Sequence, residues 1–380
     1  MKVEQVWEAT NAGVKQAIGE TIVLEKDLSN IVDVGEKVIG ADQLDNYVKG
    51  LQNHIGKVIT VQRVYNGEVP SVLMDSWEFG SILEKIKIGL PEATQNDSWA
   101  LEDGVSYDPN VFNAPDVSAK FYNSKTTFEI DMSFTEMQVK ESFSSAEQLA
   151  GFISGIETAI QNALTMRFDS LVKDTINSLT ADTLHAVAVG GNDPKAVNLL
   201  ALYQAEKDET LTDPAEAIQD PEFIRFATLK MRQYQARLRT ASKLFNLGGH
   251  TRFTPDEMLH VVMLNDFKAA AEVYLQSDTY HDEFTALPNS ETVNFWQGSG
   301  TGYDFESVSK INVTSGAGNE VEQSGIIAVM FDRDAVGVTN MDRRVTTHYN
   351  ARAEFYNNFY KADASYFTDG DENFVVFYVA

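Results

Sequence analysis

The stretch that decides the fold runs from Ser145 to Leu179 and reads SAEQLAGFISGIETAIQNALTMRFDSLVKDTINSL. Its apolar residues recur at steps of three and four, which is typical of one face of an α-helix. They are Leu149, Phe152, Ile153, Ile156, Ile160, Leu164, Phe168, Leu171, Val172, Ile176 and Leu179. Ser144 and Glu147 have the spacing of a capping box. A helix of this length spans roughly 50 Å. Because no second long heptad segment could pair with it in a coiled coil, we predict a spine across a flat, extended domain.

Two segments before this helix lack a core of their own. Residues 1–60 have loose helical spacing interrupted by glycines, so we predict an N-terminal arm that lies on something else. In residues 61–143, strand patterns occur at Ser71–Met74, Ile82–Ile88 and Thr126–Phe134. The long stretch between them, Leu90–Val117, is rich in turn residues and weak in core potential. We therefore predict an extended loop that projects from the body and packs on a neighbour.

The chain after the spine helix first becomes acidic and then basic. Asp220 and Pro221 predict the start of a helix that continues to about Phe245, before Gly248 and Gly249. Residues 223–255 contain seven basic residues and no acidic ones. They are Arg225, Lys230, Arg232, Arg237, Arg239, Lys243 and Arg252. This pattern is either a solvated helix face or a contact between subunits, in which the basic helix meets an acidic surface of the next copy.

The rest of the sequence alternates between strand and helix patterns. Leu259–Leu264 reads as a buried strand and Asp266–Leu275 as a short helix. Further strand patterns occur at Ile311–Val313, Gly325–Phe331, Arg344–Tyr349, Ala353–Tyr360 and Asn373–Val379. We therefore predict an α+β protein.

Composition excludes several classes of protein. The 380 residues include 30 Lys plus Arg and 56 Asp plus Glu, which gives a net charge of −26. This charge argues against a general nucleic-acid binder and against docking on anionic membranes. The chain has no cysteine, so disulfides and thiolate chemistry are excluded. No apolar stretch resembles a signal peptide or a membrane span, so we expect an intracellular protein.

No motif in the sequence supports catalysis. P-loop, zinc-protease and nucleophile-elbow patterns are absent, and Gly298–Gly302 lacks dinucleotide-binding spacing. The adjacent residues His281, Asp282 and Glu283 are poorly spaced for a metal. Asp369-Gly370-Asp371-Glu372 reads as a hairpin turn rather than half of a calcium loop. We predict no catalytic residue, cofactor or metal, and hence no enzyme.

Lys85 and Lys87 allow two readings. They could bond covalently to an asparagine such as Asn357 on a neighbouring subunit, or they could be solvated surface lysines, which we favour. With Arg225, Lys230, Arg232, Arg237 and Arg239, they form the set of candidate inter-subunit contacts.

Several segments, taken in order, resemble the major capsid proteins of tailed bacteriophages. They are Phe223–Ala227, Ala241–Asn246, Leu259–Phe267, Tyr274–Tyr280, Asn294–Gly298, Ile327–Ala335 and Thr347–Phe359. The resemblance covers the chain from about residue 60 onward. It implies the Hong Kong 97-type fold, with an arm at 1–60, an extended loop with its flanking strands at 61–143, a peripheral domain at 144–219 and 341–380, and an axial domain at 220–340.

The resemblance also implies a function and partners. Such a chain would self-assemble through hexamers and pentamers into an icosahedral shell that encloses double-stranded DNA without sequence-specific binding. A separate scaffolding protein and a portal protein at one vertex are implied, with no membrane contact. The shell would assemble in the host bacterial cytoplasm and form part of the virion. The alternatives are an encapsulin-type nanocompartment around a cargo enzyme and, least favoured, an enzyme of unknown type.

Overall fold

The computed structural model describes most of the chain. The described residues are 3–18, 24–26, 30–40, 46–48, 68–74, 83–91, 93–107, 110, 112–142, 146–187, 193–207, 210–276, 290–298, 302–316 and 318–380. Ser144 of the predicted capping box and the His281-Asp282-Glu283 cluster lie outside these ranges. No helix among the described residues is both long enough and apolar enough to cross a membrane.

The described elements alternate between helices and strands, as predicted for an α+β protein. The helices are α1 (Val3–Ile18), α2 (Ile31–Gly40), α3 (Glu136–Ser142), α4 (Ala146–Val187), α5 (Leu199–Glu206), α6 (Pro214–Ala217), α7 (Pro221–Leu238), α8 (Asn265–Gln276) and α9 (Phe305–Val308). The strands are β1 (Leu73–Met74), β2 (Leu83–Ile88), β3 (Val117–Tyr122), β4 (Lys125–Thr135), β5 (Ala196–Asn198), β6 (Leu259–Leu264), β7 (Ser290–Val293), β8 (Ile311–Thr314), β9 (Glu320–Gln323), β10 (Ile326–Asp332), β11 (Val336–Asn350), β12 (Phe355–Thr368) and β13 (Phe374–Tyr378).

The chain divides into two compact units, each formed from three stretches of sequence. Unit 1 contains residues 1–78, 125–172 and 338–365, and unit 2 contains residues 79–124, 173–337 and 366–380. Each unit is therefore assembled from segments that lie far apart in the sequence.

The N-terminal region in unit 1 has a small core, which the sequence analysis did not anticipate. Val14, Val34, Val38 and Tyr47 are each no more than 1% exposed. The Tyr47 ring lies against Gly13 of α1, where a larger residue would clash. The described part of this region therefore buries apolar side chains within the chain. Its docking on another subunit stays a prediction.

A four-stranded sheet in the order β1-β11-β12-β4 forms the other part of unit 1. β4 and β12 pair antiparallel from Thr135 opposite Phe355 to Lys125 opposite Ser365. The predicted alternation in β4 is confirmed, since Phe134 is buried while its neighbours Ser133 and Thr135 are exposed. This apolar face packs on α4, where Phe134 contacts Phe152 with ring centroids 5.4 Å apart.

The predicted spine helix is confirmed as α4, and it continues eight residues beyond Leu179. Its later turns lie in unit 2 and bury polar side chains, so the apolar stripe does not show where the helix ends. The hydroxyls of Thr180 and Thr183 donate to backbone carbonyls four residues earlier at 2.9 and 2.8 Å. The Asn177 side-chain amide donates to the Trp296 carbonyl at 2.6 Å. These hydrogen bonds satisfy the two threonine hydroxyls and the amide N–H of Asn177, which lowers the cost of burying them.

Unit 2 is built on a five-stranded sheet in the order β5-β13-β10-β6-β7. Strand β10 is central and every one of its residues is buried, as is every residue of β6. Both strands match the predicted strand patterns to within a residue. Helices α5 and α7 contribute Leu200, Phe223 and Ile224 to the apolar core that also contains Ile327 and Phe377 of the sheet.

Helix α7 starts as predicted but ends seven residues earlier than expected. The Asp220 carboxylate accepts hydrogen bonds from the backbone N–H groups of Glu222 and Phe223 at 2.7 and 3.0 Å, with Pro221 in the first helical position. The prediction that the helix reaches Phe245 is wrong. The Leu238 carbonyl instead accepts from the Thr254 N–H at 2.8 Å, and the Phe245 carbonyl from the Phe374 N–H at 2.8 Å.

Candidate subunit-contact surface

The strands β2 and β3 in unit 2 form an antiparallel hairpin with two chemically different faces. They pair from Leu83 opposite Tyr122 to Ile88 opposite Val117. Because side chains alternate along a strand, Lys85, Lys87 and Lys120 share one face, here called the lysine face. The opposite side, here called the apolar face, carries Ile86, Ile88, Val117, Ala119 and Phe121, together with the exposed Glu84 opposite Phe121.

The lysine face points inward, onto the turn that joins β12 to β13. Both Lys85 and Lys87 place Nζ on the Asp369 Oδ2 atom, at 2.9 and 2.6 Å. Lys87 Nζ also lies 3.2 Å from Glu372 Oε1. Lys120 Nζ contacts Asp369 Oδ1 at 3.3 Å and forms an ion pair with Asp371. These six residues, Lys85, Lys87, Lys120, Asp369, Asp371 and Glu372, are the ion-pair cluster.

The cluster corrects two sequence predictions. The interpretation of Lys85 and Lys87 as solvated lysines is wrong, since their side chains are 19% and 6% exposed. Residues 369–372 do form a turn, but not a hairpin, because β12 and β13 belong to different sheets. Asn357, the imagined bonding partner, lies in unit 1, where it accepts a hydrogen bond from the Ser133 hydroxyl at 2.5 Å.

The acidic side of the cluster is held by backbone contacts and by a second basic segment. The Asp369 N–H donates to the Ala335 carbonyl at 2.7 Å, and Asp369 Oδ1 accepts from the Asp371 N–H at 3.1 Å. Arg252 Nε lies 3.5 Å from Glu372 Oε2, and His250 Nε2 lies 3.9 Å from Asp371 Oδ1. The buried Asp369 carboxylate therefore has cations and N–H donors at both oxygens.

The electrostatics of the cluster keep Asp369 and Asp371 ionised. Burial by itself raises the pKa of Asp369, but hydrogen bonds and charge from Lys87 and Lys85 outweigh burial and hold it far below its usual value. The pKa of Asp371 is likewise lowered, because Lys120 and Lys87 outweigh its burial. The same contact with Asp371 raises the pKa of Lys120 against the effect of burial. The cluster is therefore a set of ion pairs at neutral pH.

Residues 89–116 connect β2 to β3 and form the loop itself, between the flanking strands of the predicted region 61–143. Its described part contains one short helical turn, at Asp97–Trp99. Most of its apolar side chains face solvent, and Trp99 and Phe112 are 98% and 87% exposed. Leu90, Leu101, Val105 and Tyr107 are exposed as well. The long loop follows the predicted strand β2, but it leads into β3 (Val117–Tyr122), a strand that the sequence analysis did not predict. Its packing on a neighbour stays a prediction.

The basic residues of α7 contact acidic residues of their own chain. Arg225 binds Glu222 at 2.8 Å and Lys230 binds Glu206 at 2.6 Å. Arg239 Nε donates to Asp256 Oδ1 at 2.7 Å, and the Arg237 guanidinium lies 5.2 Å from the centre of the Tyr234 ring. Part of the positive charge is thus neutralised within the chain. A contact between α7 and another subunit stays a prediction.

The described residues do not assemble a catalytic or metal-binding group. No set of three or more His, Asp and Glu side chains in this part of the chain could hold a metal ion. A groove of about 580 Å³ in unit 1 is lined by nine residues, of which Glu141 is the one charged side chain. His260 is buried and stacks on Phe331 at 5.7 Å, and its burial lowers its pKa.

Sequence reasoning missed Lys120 and the acidic turn as partners of Lys85 and Lys87. The i, i+2 spacing of the two lysines on a predicted strand was the available signal, because it places both on one face. Three acidic residues within four positions of a turn, at 369–372, were the complementary signal. The pairing itself joins residues 284 positions apart, which a local pattern does not reveal.

A mixed helix and sheet architecture presents a long loop with exposed apolar side chains, which is typical of a protein that associates with other chains.

Comparisons with known proteins identify the family of the chain. The family model of the Phi29-like phage major capsid protein matches residues 10–378, and the chain therefore belongs to that family. No curated protein matches the sequence. The capsid structure of Staphylococcus phage Andhra is similar with a TM-score of 0.55 and 8% identity, covering 81% of this chain and 83% of that chain. The structure of head fiber and inner core protein gp22 of native bacteriophage P68 is similar with a TM-score of 0.52 and 9% identity, covering 83% and 85%.

The family establishes the general role of the chain. It is a phage major capsid protein, a structural component of the virion that associates with copies of itself in a shell. The resemblance seen in the sequence is confirmed, and the family and fold are those of structural proteins rather than of enzymes. The comparisons give no support to the encapsulin alternative.

Proposed function

We propose that this chain forms an icosahedral shell that encloses the double-stranded DNA of a tailed phage, and that its fold is of the Hong Kong 97 type. The family match over residues 10–378 carries this proposal. The extended loop supports it, because a loop with an exposed tryptophan and phenylalanine requires a partner to cover them. Hexamers and pentamers would be the building blocks of the shell.

The charge of the chain suits an enclosure for DNA. A net charge of −26 repels the phosphate backbone, so packaged DNA would be held by the closed shell rather than by binding to its wall. We propose that a separate scaffolding protein guides assembly in the host bacterial cytoplasm and that a portal protein occupies one vertex.

The proposed domains follow the family resemblance. The arm comprises residues 1–60 and the extended loop with its strands comprises 61–143. The peripheral domain comprises 144–219 and 341–380, and the axial domain comprises 220–340. We further propose that Arg225, Lys230, Arg232, Arg237 and Arg239 lie at an inter-subunit contact, where the acidic surface of another copy would add to the partners they have within the chain.

Electron microscopy of the protein expressed alone, with light scattering on the same sample, tests the shell. Because we propose a separate scaffold, small capsomers, sheets or tubes are the expected result, whereas closed particles of uniform diameter would support the shell but show that no scaffold is required. A monodisperse monomer or dimer that persists at high concentration, at any salt concentration and with crowding agents, would contradict the proposal.

A deletion tests whether the extended loop contacts a neighbouring subunit. Replacing residues 89–116 by Asn-Gly would join Ile88 of β2 to its partner Val117 of β3 through a two-residue turn. We expect this variant to fold, as circular dichroism would show, but to form no shells. Shells at the wild-type yield would show that the loop does not contact a neighbour.

A further inference from the structure

The sequence contains two Asp-Gly dipeptides, and the structure places them in opposite environments. Asp103-Gly104 lies in the extended loop, and Asp369-Gly370 lies in the ion-pair cluster. An aspartate followed by glycine rearranges readily, because glycine has no side chain to shield its backbone nitrogen. The two dipeptides are therefore the same chemical group, and the fold decides which of them can react.

We propose that Asp103 is a site of spontaneous isoaspartate formation, and that the ion-pair cluster protects Asp369 from the same reaction. The reaction needs no enzyme, metal or oxidant. It assigns a modification site to the extended loop and gives the cluster a chemical role in addition to its effect on stability. Neither part of the proposal depends on the contacts that the chain makes in a shell.

The reaction consists of two balanced steps. The backbone nitrogen of Gly104 attacks the side-chain carboxyl carbon of Asp103 in its neutral form. A nitrogen–carbon bond forms, the bond to the carboxyl hydroxyl breaks, and the hydroxyl leaves as water with the proton of the amide N–H. Water then opens the cyclic imide at either carbonyl. Opening at one carbonyl restores aspartate, and opening at the other leaves the chain running through the side-chain carbonyl, with an unchanged mass.

The extended loop leaves its Asp-Gly dipeptide open to this reaction. Residues 101–107 are all exposed, and Gly104 has nothing within 4 Å of the position of an added Cβ. Two long hydrogen bonds hold the turn, from the Val105 N–H to the Glu102 carbonyl at 3.4 Å and from the Glu102 N–H to the Tyr107 hydroxyl at 3.2 Å. The loop contains no Lys, Arg or His that would hold the carboxyl group as its anion. Because an exposed turn of this kind opens at little cost, the nitrogen can reach the carboxyl carbon.

The ion-pair cluster opposes both requirements of the reaction at Asp369. The Asp369 carboxylate is buried, and two lysine ammonium groups at 2.6 and 2.9 Å hold it as the anion, so the neutral form that loses water is scarce. The backbone is fixed as well, since the Gly370 carbonyl accepts hydrogen bonds from the N–H groups of Leu247 and Gly248 at 2.7 and 3.1 Å. Reaction at this site therefore requires that the cluster open first.

Peptide mapping of the aged full-length protein tests the proposal. Unassembled subunits are incubated for several weeks at mildly acidic pH, in one sample folded and in another unfolded in urea. An isoaspartyl methyltransferase serves as the probe for the amount of isoaspartate. Proteolysis and fragment masses that distinguish the two linkages give its position. The position is needed because Asn66-Gly67 can form the same imide.

We expect isoaspartate in the folded protein to form at least about tenfold faster at position 103 than at position 369. In urea the two rates should agree within about twofold, because both dipeptides are then solvated. Asp103→Glu, which keeps the charge, should remove isoaspartate from the loop peptide. Absence of isoaspartate at position 103, or equal rates at both positions in the folded protein, would overturn the proposal. A tenfold difference that persisted in urea would overturn the protection by the cluster.

Variants of the cluster test the protection separately. Lys87→Met removes one cation from Asp369 and should raise the rate at position 369 while leaving the rate at position 103 unchanged. Lys85→Met is a second and milder variant, since the Lys85 side chain is 19% exposed. Lys361→Met removes an exposed ion pair and is the matched control that should change neither rate. If both cluster variants left position 369 as slow as in the wild type, the lysines would not protect it.

Discussion

At the scale of single residues, the cluster shows how a lysine can be buried in a stable protein. The Lys87 side chain is 6% exposed, and its ammonium group lies within 3.4 Å of the carboxylates of Asp369, Asp371 and Glu372. Desolvation of a charge is costly unless such partners are present. Removal of one member therefore costs more than the loss of an ion pair on the surface.

The substitution Lys87→Met is expected to lower the free energy of unfolding by about 2–4 kcal/mol, because the buried Asp369 loses one of its cations. Lys361→Met is the control, since Lys361 and its partner Glu129 are 37% and 44% exposed. The control should change stability by less than about 0.5 kcal/mol. Urea unfolding of the unassembled protein measures both. If both substitutions lowered the free energy of unfolding equally, burial of Lys87 would not explain the cost of replacing it.

The lowered pKa of Asp369 and of Asp371 predicts sensitivity to acid. A carboxylate whose pKa is lower in the folded than in the unfolded state stabilises the fold above its unfolded pKa, and this stabilisation is lost as pH falls. Stability should thus decline below about pH 4. Asp369→Asn should lower stability at pH 7 and flatten the decline between about pH 4 and pH 2. Urea unfolding across this range gives the slope, and an unchanged slope would show that Asp369 does not carry the effect.

At the scale of elements, the sequence predicts helices and strands that have long apolar patterns. It does not predict helix ends that are set by contacts with residues far along the chain. The stripe ending at Leu179 predicted α4, and the unbroken apolar run at Leu259–Leu264 predicted β6. The end of α7 was not predicted, because the Leu238 carbonyl accepts a hydrogen bond from the backbone N–H of Thr254. The cluster was missed for the same reason, since the partners of Lys85 and Lys87 come from a turn near residue 370.

The glycines of the helices predict opposite effects of alanine. Gly155 in α4 has nothing within 4 Å of the position of an added Cβ, whereas Gly13 in α1 lies against the Tyr47 ring and its carbonyl. Gly155→Ala should therefore stabilise the subunit by about 0.5–1 kcal/mol through helix propensity. Gly13→Ala should destabilise it by about 1–3 kcal/mol through overpacking. Thermal unfolding of both variants tests these expectations. If Gly155→Ala were destabilising, the space around the added methyl group would not be open.

At the scale of the whole molecule, the net charge of −26 opposes the approach of two copies. Salt screens such repulsion, with a Debye length of about 10 Å at 0.1 M. If an apolar face forms the main contact, the rate of assembly should rise between about 50 and 300 mM NaCl, as light scattering would follow. Slower assembly with added salt would instead indicate that opposite charges dominate, as in the proposed contact of the basic helix.

The order of the strands also limits how far the protein can fold while the ribosome is still synthesising it. Strand β13, at residues 374–378, lies inside its sheet, between β5 and β10. In the other sheet, β12 pairs with β4 and β11 pairs with β1, and each of these partners lies more than 200 residues earlier in the chain. Neither sheet can be completed before these late residues leave the exit tunnel, so nascent chains expose unpaired strand edges for most of their synthesis. Chains cut short by premature stops would keep unpaired strand edges, so we expect such fragments to aggregate.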